Sequence, residues 1–102
     1  MKYEFHPNAE AEFLESVGFY ESKVKGLGSA FIDEFEVIAK LVCESPKQRK
    51  IERKPDIRRA PLRRFPFSII YREKQSVIQV LAVAHDSRRP LYWLPRRSTW
   101  TP

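Results

Sequence analysis

From Phe65 to Tyr71 the large residues fall on every second position: Phe65, Phe67, Ile69 and Tyr71 on one side, Ser68, Ile70 and Arg72 on the other. A period of two over this length predicts a β-strand with one well-buried face. The run Val77-Ile78-Gln79-Val80-Leu81-Ala82-Val83-Ala84 is apolar at nearly every position and rich in β-branched residues. That pattern suits a central strand, flanked on both edges and covered on both faces. Glu73 to Ser76 joins the two strands, without the Asn-Gly or Asp-Gly pair that marks a tight hairpin.

Lys2 to His6 also alternates and predicts a short first strand, ended by Pro7-Asn8. Proline suits the first turn of a helix and asparagine its cap. Beyond it Phe13, Val17, Tyr20 and Val24 recur at spacings of four, three and four, one stripe of an α-helix. Glu10, Glu12, Glu15 and Glu21 keep mostly to its N-terminal half and outer face. Gly18 is expected to weaken this helix by about 1 kcal/mol relative to alanine. Lys25-Gly26-Leu27-Gly28-Ser29 is a break, and Ser29 is the expected cap of a second helix. Its stripe is Phe31, Phe35, Ile38 and Val42, and it stops by Ser45-Pro46. Two matched stripes across a short break predict a helical hairpin laid on a sheet. Lys47 to Asp56 reads as a loop or irregular edge. Ile57 to Leu62 reads as a strand, with Pro61 at an edge or bulge. Asp86 to Pro102 reads as a loop and tail with room for one helical turn. The order β-α-α-β-β-β defines an α+β fold, a helical hairpin packed on one face of a small, mainly antiparallel sheet. One domain spans residues 1–102, with about 94–102 as a tail.

Charge changes this picture. The formal net charge is +6, but residues 1–46 hold four lysines against nine acids, and residues 47–64 hold nine Lys/Arg against Glu52 and Asp56. An acidic first half and a strongly basic second half point to contact with nucleic acid or an acidic protein. No apolar run approaches the roughly 18 residues of a membrane-spanning helix, and MKYEFHPN lacks the apolar segment of a secretory signal. Cys43 is the only thiol and suits a small hydrophobe in a reducing compartment, the cytosol being the simplest.

The candidate chemistry gathers at the end of the central strand. His85 is followed by Asp86, Arg88, Arg89, Tyr92 and Trp93; Lys54, Arg58, Arg59, Arg63 and Arg64 precede the neighbouring strand. Should these converge, they form a phosphate-binding concavity holding an imidazole and a phenol. Metal-free RNA cleavage needs such parts: a base for the 2′-hydroxyl, an acid for the leaving oxygen, and cations for the phosphate. Tyr92 and Trp93 could stack on unpaired bases, or Trp93 and Trp100 could serve as lids over the open sheet face. No metal site is expected from two separated histidines and one thiol. No cofactor is expected either, since no Gly-rich phosphate loop or nucleophile elbow is present.

The stretches HPNAEAEFLESVGFY, GLGSAFIDEFE, IRRAPLRRFPFSIIYR and VIQVLAVAHDSRRPLYW together resemble toxins of the RelE/ParE superfamily from bacterial type II toxin–antitoxin modules, and most closely its ParE-like, plasmid-stabilisation group. The resemblance implies a cognate acidic antitoxin whose disordered segment folds onto the toxin. It also implies one of two targets. RelE-like members cut mRNA in the ribosome, for which His85, Tyr92 and Arg64 would be the catalytic set, with Lys54 in support. ParE-like members act on DNA gyrase without a catalytic set. The family arginine expected three residues before the strand tyrosine has no match, since Ser68 precedes Tyr71 there. That departure tilts the expectation towards gyrase, with the endoribonuclease and a non-catalytic nucleic-acid-binding module as alternatives. Lys54, Arg58, Arg59, Arg63, Arg64, Arg88, Arg89 and Trp93 are then the expected contacts to target.

Overall fold

Strands β1 (Lys2–Phe5), β2 (Ile51–Arg53), β3 (Ile57–Pro61), β4 (Phe67–Lys74) and β5 (Val77–His85) form one sheet in the order β1-β5-β4-β3-β2. The structure, a computed structural model, describes residues 1–100; Thr101 and Pro102, the end of the expected tail, lie outside the described residues. β1 runs parallel to β5, and the other pairs are antiparallel. Helices α1 (Pro7–Lys23) and α2 (Leu27–Glu44) follow β1, and a 3₁₀ turn spans Leu94–Ser98. The α+β order stands, with one strand added. Ile51–Arg53 lies inside the segment read as a loop or irregular edge, and pairs with β3 only at Ile51↔Arg58 and Arg53↔Ile57, across a register shift. So short a ladder leaves little side-chain periodicity to detect.

The sheet is covered on both faces, as its central apolar strand requires. Phe67, Ile69 and Tyr71 of β4 join Phe31, Phe35, Ile38 and Val42 of α2 in one buried cluster. Ile57, Ile70, Leu81, Ala82 and Ala84 form a second cluster on the far face, closed by Trp93. A β-bulge divides β5 between the two. Ile70 pairs with Ala82 and Tyr71 with Val80, leaving Leu81 unopposed. Leu81 and Ala82 therefore both join the far cluster, while Val80 and Val83 face the helices. The β4–β5 turn is tighter than expected: Gln75 (φ 54°) and Ser76 (φ 64°) alone bridge the strands. Both left-handed residues are what a type I′ turn demands, here met without glycine.

The helix starts differ from the sequence reading. Asn8 is not the cap of α1; His6 is, its Nδ1 accepting from the Asn8 amide at 3.1 Å. Ser29 lies inside α2, whose cap is Gly26 at φ 88°. The amides of Gly26 and Gly28 donate to the Glu21 carboxylate at 3.0 Å each, so an acid of α1 closes the open end of α2. Gly28 also lets the helices meet, since a Cβ there would stand 2.8 Å from the Val17 carbonyl oxygen. Of the α1 stripe, Phe13, Val17 and Tyr20 pack on the core, whereas Val24 is the C-cap and 60% exposed.

Candidate functional site

Strand geometry separates the expected site residues before any chemistry is considered. Arg58 and Arg59 are adjacent in β3 and so point to opposite faces. Arg58 pairs across from Tyr71 on the helix side, its Nη1 donating to the Arg49 carbonyl at 2.6 Å. Arg59 pairs across from Ile70 on the far side and binds Glu52 at 3.1 Å and Asp86 at 3.6 Å. Lys54 lies in the β2–β3 turn. Arg63 and Arg64 lead into β4, where both backbone amides and the Arg64 Nε donate to the Glu34 carboxylate of α2. Burial raises the pKa of Glu34, but these donations and the Arg64 charge outweigh it and hold the carboxyl below its ordinary value.

His85 stands elsewhere. It pairs with Phe67 on the helix side, ring centroids 5.0 Å apart, and lines a hollow of about 320 Å³ with Ser16, Phe19 and Tyr20 of α1. Its Nδ1 accepts from the Ser87 amide at 3.0 Å, and the Ser87 hydroxyl stands 2.7 Å from the same nitrogen. Arg63 and Arg64 line a different hollow, with Asp33, Glu34, Val37 and Ile38. The two hollows share no lining residue, and the rings of Phe65 and Tyr20 lie between Arg64 and the hollow of His85.

Tyr92 and Trp93 belong to the far side. Trp93 is 1% exposed and is a core residue there, with no face free for stacking on a base. Tyr92 packs against the same cluster, with Arg88 stacked over its ring at 3.9 Å. Its hydroxyl donates to Glu12 Oε2 at 2.7 Å. Burial first, then this hydrogen bond and the Glu12 charge, lift the phenol well above its ordinary pKa. Ser68 donates to Asp86 Oδ1 at 3.0 Å on this face. Arg89 is exposed.

The residue that organises this region is one the sequence reading put on the outer face of α1. Beyond the end of β1, the edge of β5 loses its neighbour, and Glu12 and Arg96 take that place. The Val83 amide donates to Glu12 Oε1 at 3.0 Å, and Arg96 Nη1 donates to the Leu81 carbonyl at 3.1 Å. The two side chains close a bidentate pair at 2.9 Å on both oxygens. Arg72, also buried, donates to the Arg97 carbonyl at 3.0 Å and further ties down the C-terminal segment. Glu12 falls between buried Ala9 and buried Ser16, at helical spacings of three and four. That boundary position was the available signal.

The helical hairpin on a five-stranded mixed sheet is a fold found in toxin–antitoxin proteins. A solved structure described as "Chromosomal ParDE TA system from P. aeruginosa" matches with a TM-score of 0.69 at 23% identity, over 83% of this chain and 95% of that one. A family model, that of the ParE toxin of the type II toxin-antitoxin system parDE, matches residues 3–90. The chain belongs to the ParE toxin family. No curated protein sequence matches it, and no helix among the described residues is long and apolar enough to cross a membrane.

Proposed function

We propose that this toxin arrests growth in the cytosol by binding DNA gyrase, and that a cognate acidic antitoxin neutralises it. The family match over residues 3–90 carries the proposal. The engagement of the Tyr92 hydroxyl with Glu12, on the face of the sheet opposite His85, supports a binding mechanism over RNA cleavage. A general acid and base must reach one phosphate together. Lys54, Arg63, Arg64, Arg88 and Arg89 are exposed cations and are the contacts this reading offers to gyrase or to an acidic antitoxin segment. The test is a supercoiling assay with purified gyrase at micromolar toxin, beside primer extension on translated mRNA. Inhibited supercoiling with intact mRNA is expected. Unaffected supercoiling overturns the gyrase reading, and cleavage lost in His85→Ala replaces it with the endoribonuclease.

A further inference from the structure

Among the described residues β1 is an edge strand with no strand on its outer side. The His6 amide donates to the Val80 carbonyl at 2.9 Å. By strand alternation Lys2 and Glu4 then turn their backbone groups towards β5, and Tyr3 and Phe5 turn theirs outward. Side chains alternate as well. Tyr3 lies on the helix side, its ring 5.6 Å from Phe5 and 6.0 Å from Phe35, while Lys2 and Glu4 are exposed on the other side. Beside this edge runs a hollow of about 900 Å³ bounded by Met1, Tyr3, Asp33, Glu36, Val37 and Lys40, among others. Tyr3 is 36% exposed and Val37, on α2, 55%.

We infer that this face binds a second copy of the chain, β1 against β1, about a two-fold axis through Tyr3. With Tyr3 opposite Tyr3 in an antiparallel ladder, the outward backbone groups of each strand meet those of the other. The same register sets Lys2 across from Glu4 of the partner subunit, and by symmetry does so twice. The strand thus carries a charge pattern that complements itself under one operation; two lysines or two glutamates at these positions would repel across the pair.

Sedimentation velocity of the full chain over a concentration series, from micromolar to sub-millimolar, tests this, with Lys2→Glu, Glu4→Lys and the double exchange. Both positions are exposed, so unchanged thermal melts of the variants serve as the folding control. The wild type should dimerise, and each single change, setting like charges opposite twice, should weaken the dimer by about fivefold or more. The double exchange should restore it, and mixing the two single variants should produce a heterodimer. A wild type monomeric throughout overturns the proposal and leaves the edge to a strand of another protein. A dimer indifferent to both single changes overturns it too, by placing the interface elsewhere. Neither result depends on whether gyrase is the target.

Discussion

The two faces of the sheet are held by different physics. The helix face is a chain of aromatic rings: Phe13 and Phe35 at 4.7 Å, Tyr20 and Phe65 at 4.8 Å, Phe31 and Phe67 at 5.3 Å. Its contacts are numerous and non-directional, so the loss of one leaves the others in place. The far face is closed by Trp93 over Ile57, Ile70, Leu81 and two alanines, with Tyr92 and Trp100 partly buried beside it, and that cover is anchored by a few polar contacts at the Glu12–Arg96 pair and Arg72. Those contacts are directional and largely removed from water, where an unpartnered group is costly. The same area of sheet is thus covered redundantly on one side and through a small number of indispensable bonds on the other.

Removing Glu12 is the sharpest way to break that contrast. Glu12→Ala strands the Arg96 guanidinium, whose side chain is 14% exposed, and leaves the Val83 amide and the Tyr92 hydroxyl without acceptors. A loss of about 3 kcal/mol in denaturant unfolding is expected, the range for breaking a buried pair by one partner. Glu52→Ala removes the nearer of the two partners of Arg59, where the side chains are 31% and 26% exposed; it should cost about 1 kcal/mol at most. Equal losses in the two variants would show that the far face does not depend on its polar anchor.

The helix face was legible in the sequence because apolar periodicity is a local signal. Phe31, Phe35, Ile38 and Val42 repeat at helical spacing and all four are buried; Phe67, Ile69 and Tyr71 alternate and all face the helices. The far face was not legible, since its anchoring acid meets residues 80 and 84 positions away, Tyr92 and Arg96. A glutamate on an acidic helix carries no mark that it will fill a strand edge left vacant by β1. The candidate site failed to assemble for a related reason. Nearness in sequence grouped Arg58 with Arg59 and His85 with Tyr92, whereas the alternation of a strand and a reversal of chain direction put the members of each pair on opposite faces.

Glycines refine the comparison within the helix face. Gly28 stands where the helices cross, and a Cβ there would lie 2.8 Å from the Val17 carbonyl oxygen and 3.0 Å from Glu21 Cβ. Gly28→Ala must push α1 from α2 and disturb the Glu21 cap, a cost of roughly 1–3 kcal/mol. Gly18 has nothing within 4 Å of its would-be Cβ. Gly18→Ala should therefore stabilise by up to about 1 kcal/mol, the helix-propensity difference alone. Thermal melts of the two variants should move in opposite directions. Shifts of the same sign would mean that the helix crossing is not as close as Gly28 makes it.

The smallest effect concerns the junction of the two faces. His6 is buried, caps α1 through Nδ1, and lies 3.1 Å through Nε2 from the Thr99 hydroxyl of the C-terminal segment. Burial, then the Arg96 charge, lower its pKa, against smaller opposing effects of Thr99 and Glu12. The folded state therefore holds this proton less tightly than the unfolded chain, whose histidine titrates near 6.5. Its contribution is complete above that value and is lost as pH falls through the lowered folded pKa. Protonation would also place a donor against the Asn8 amide and a positive charge at the positive end of the α1 dipole. His6→Asn keeps a cap acceptor and removes the titration. The wild type should lose thermal stability between about pH 7 and pH 5, and His6→Asn should flatten that slope. An unchanged slope would assign the acid sensitivity to other groups and leave His6 a cap alone.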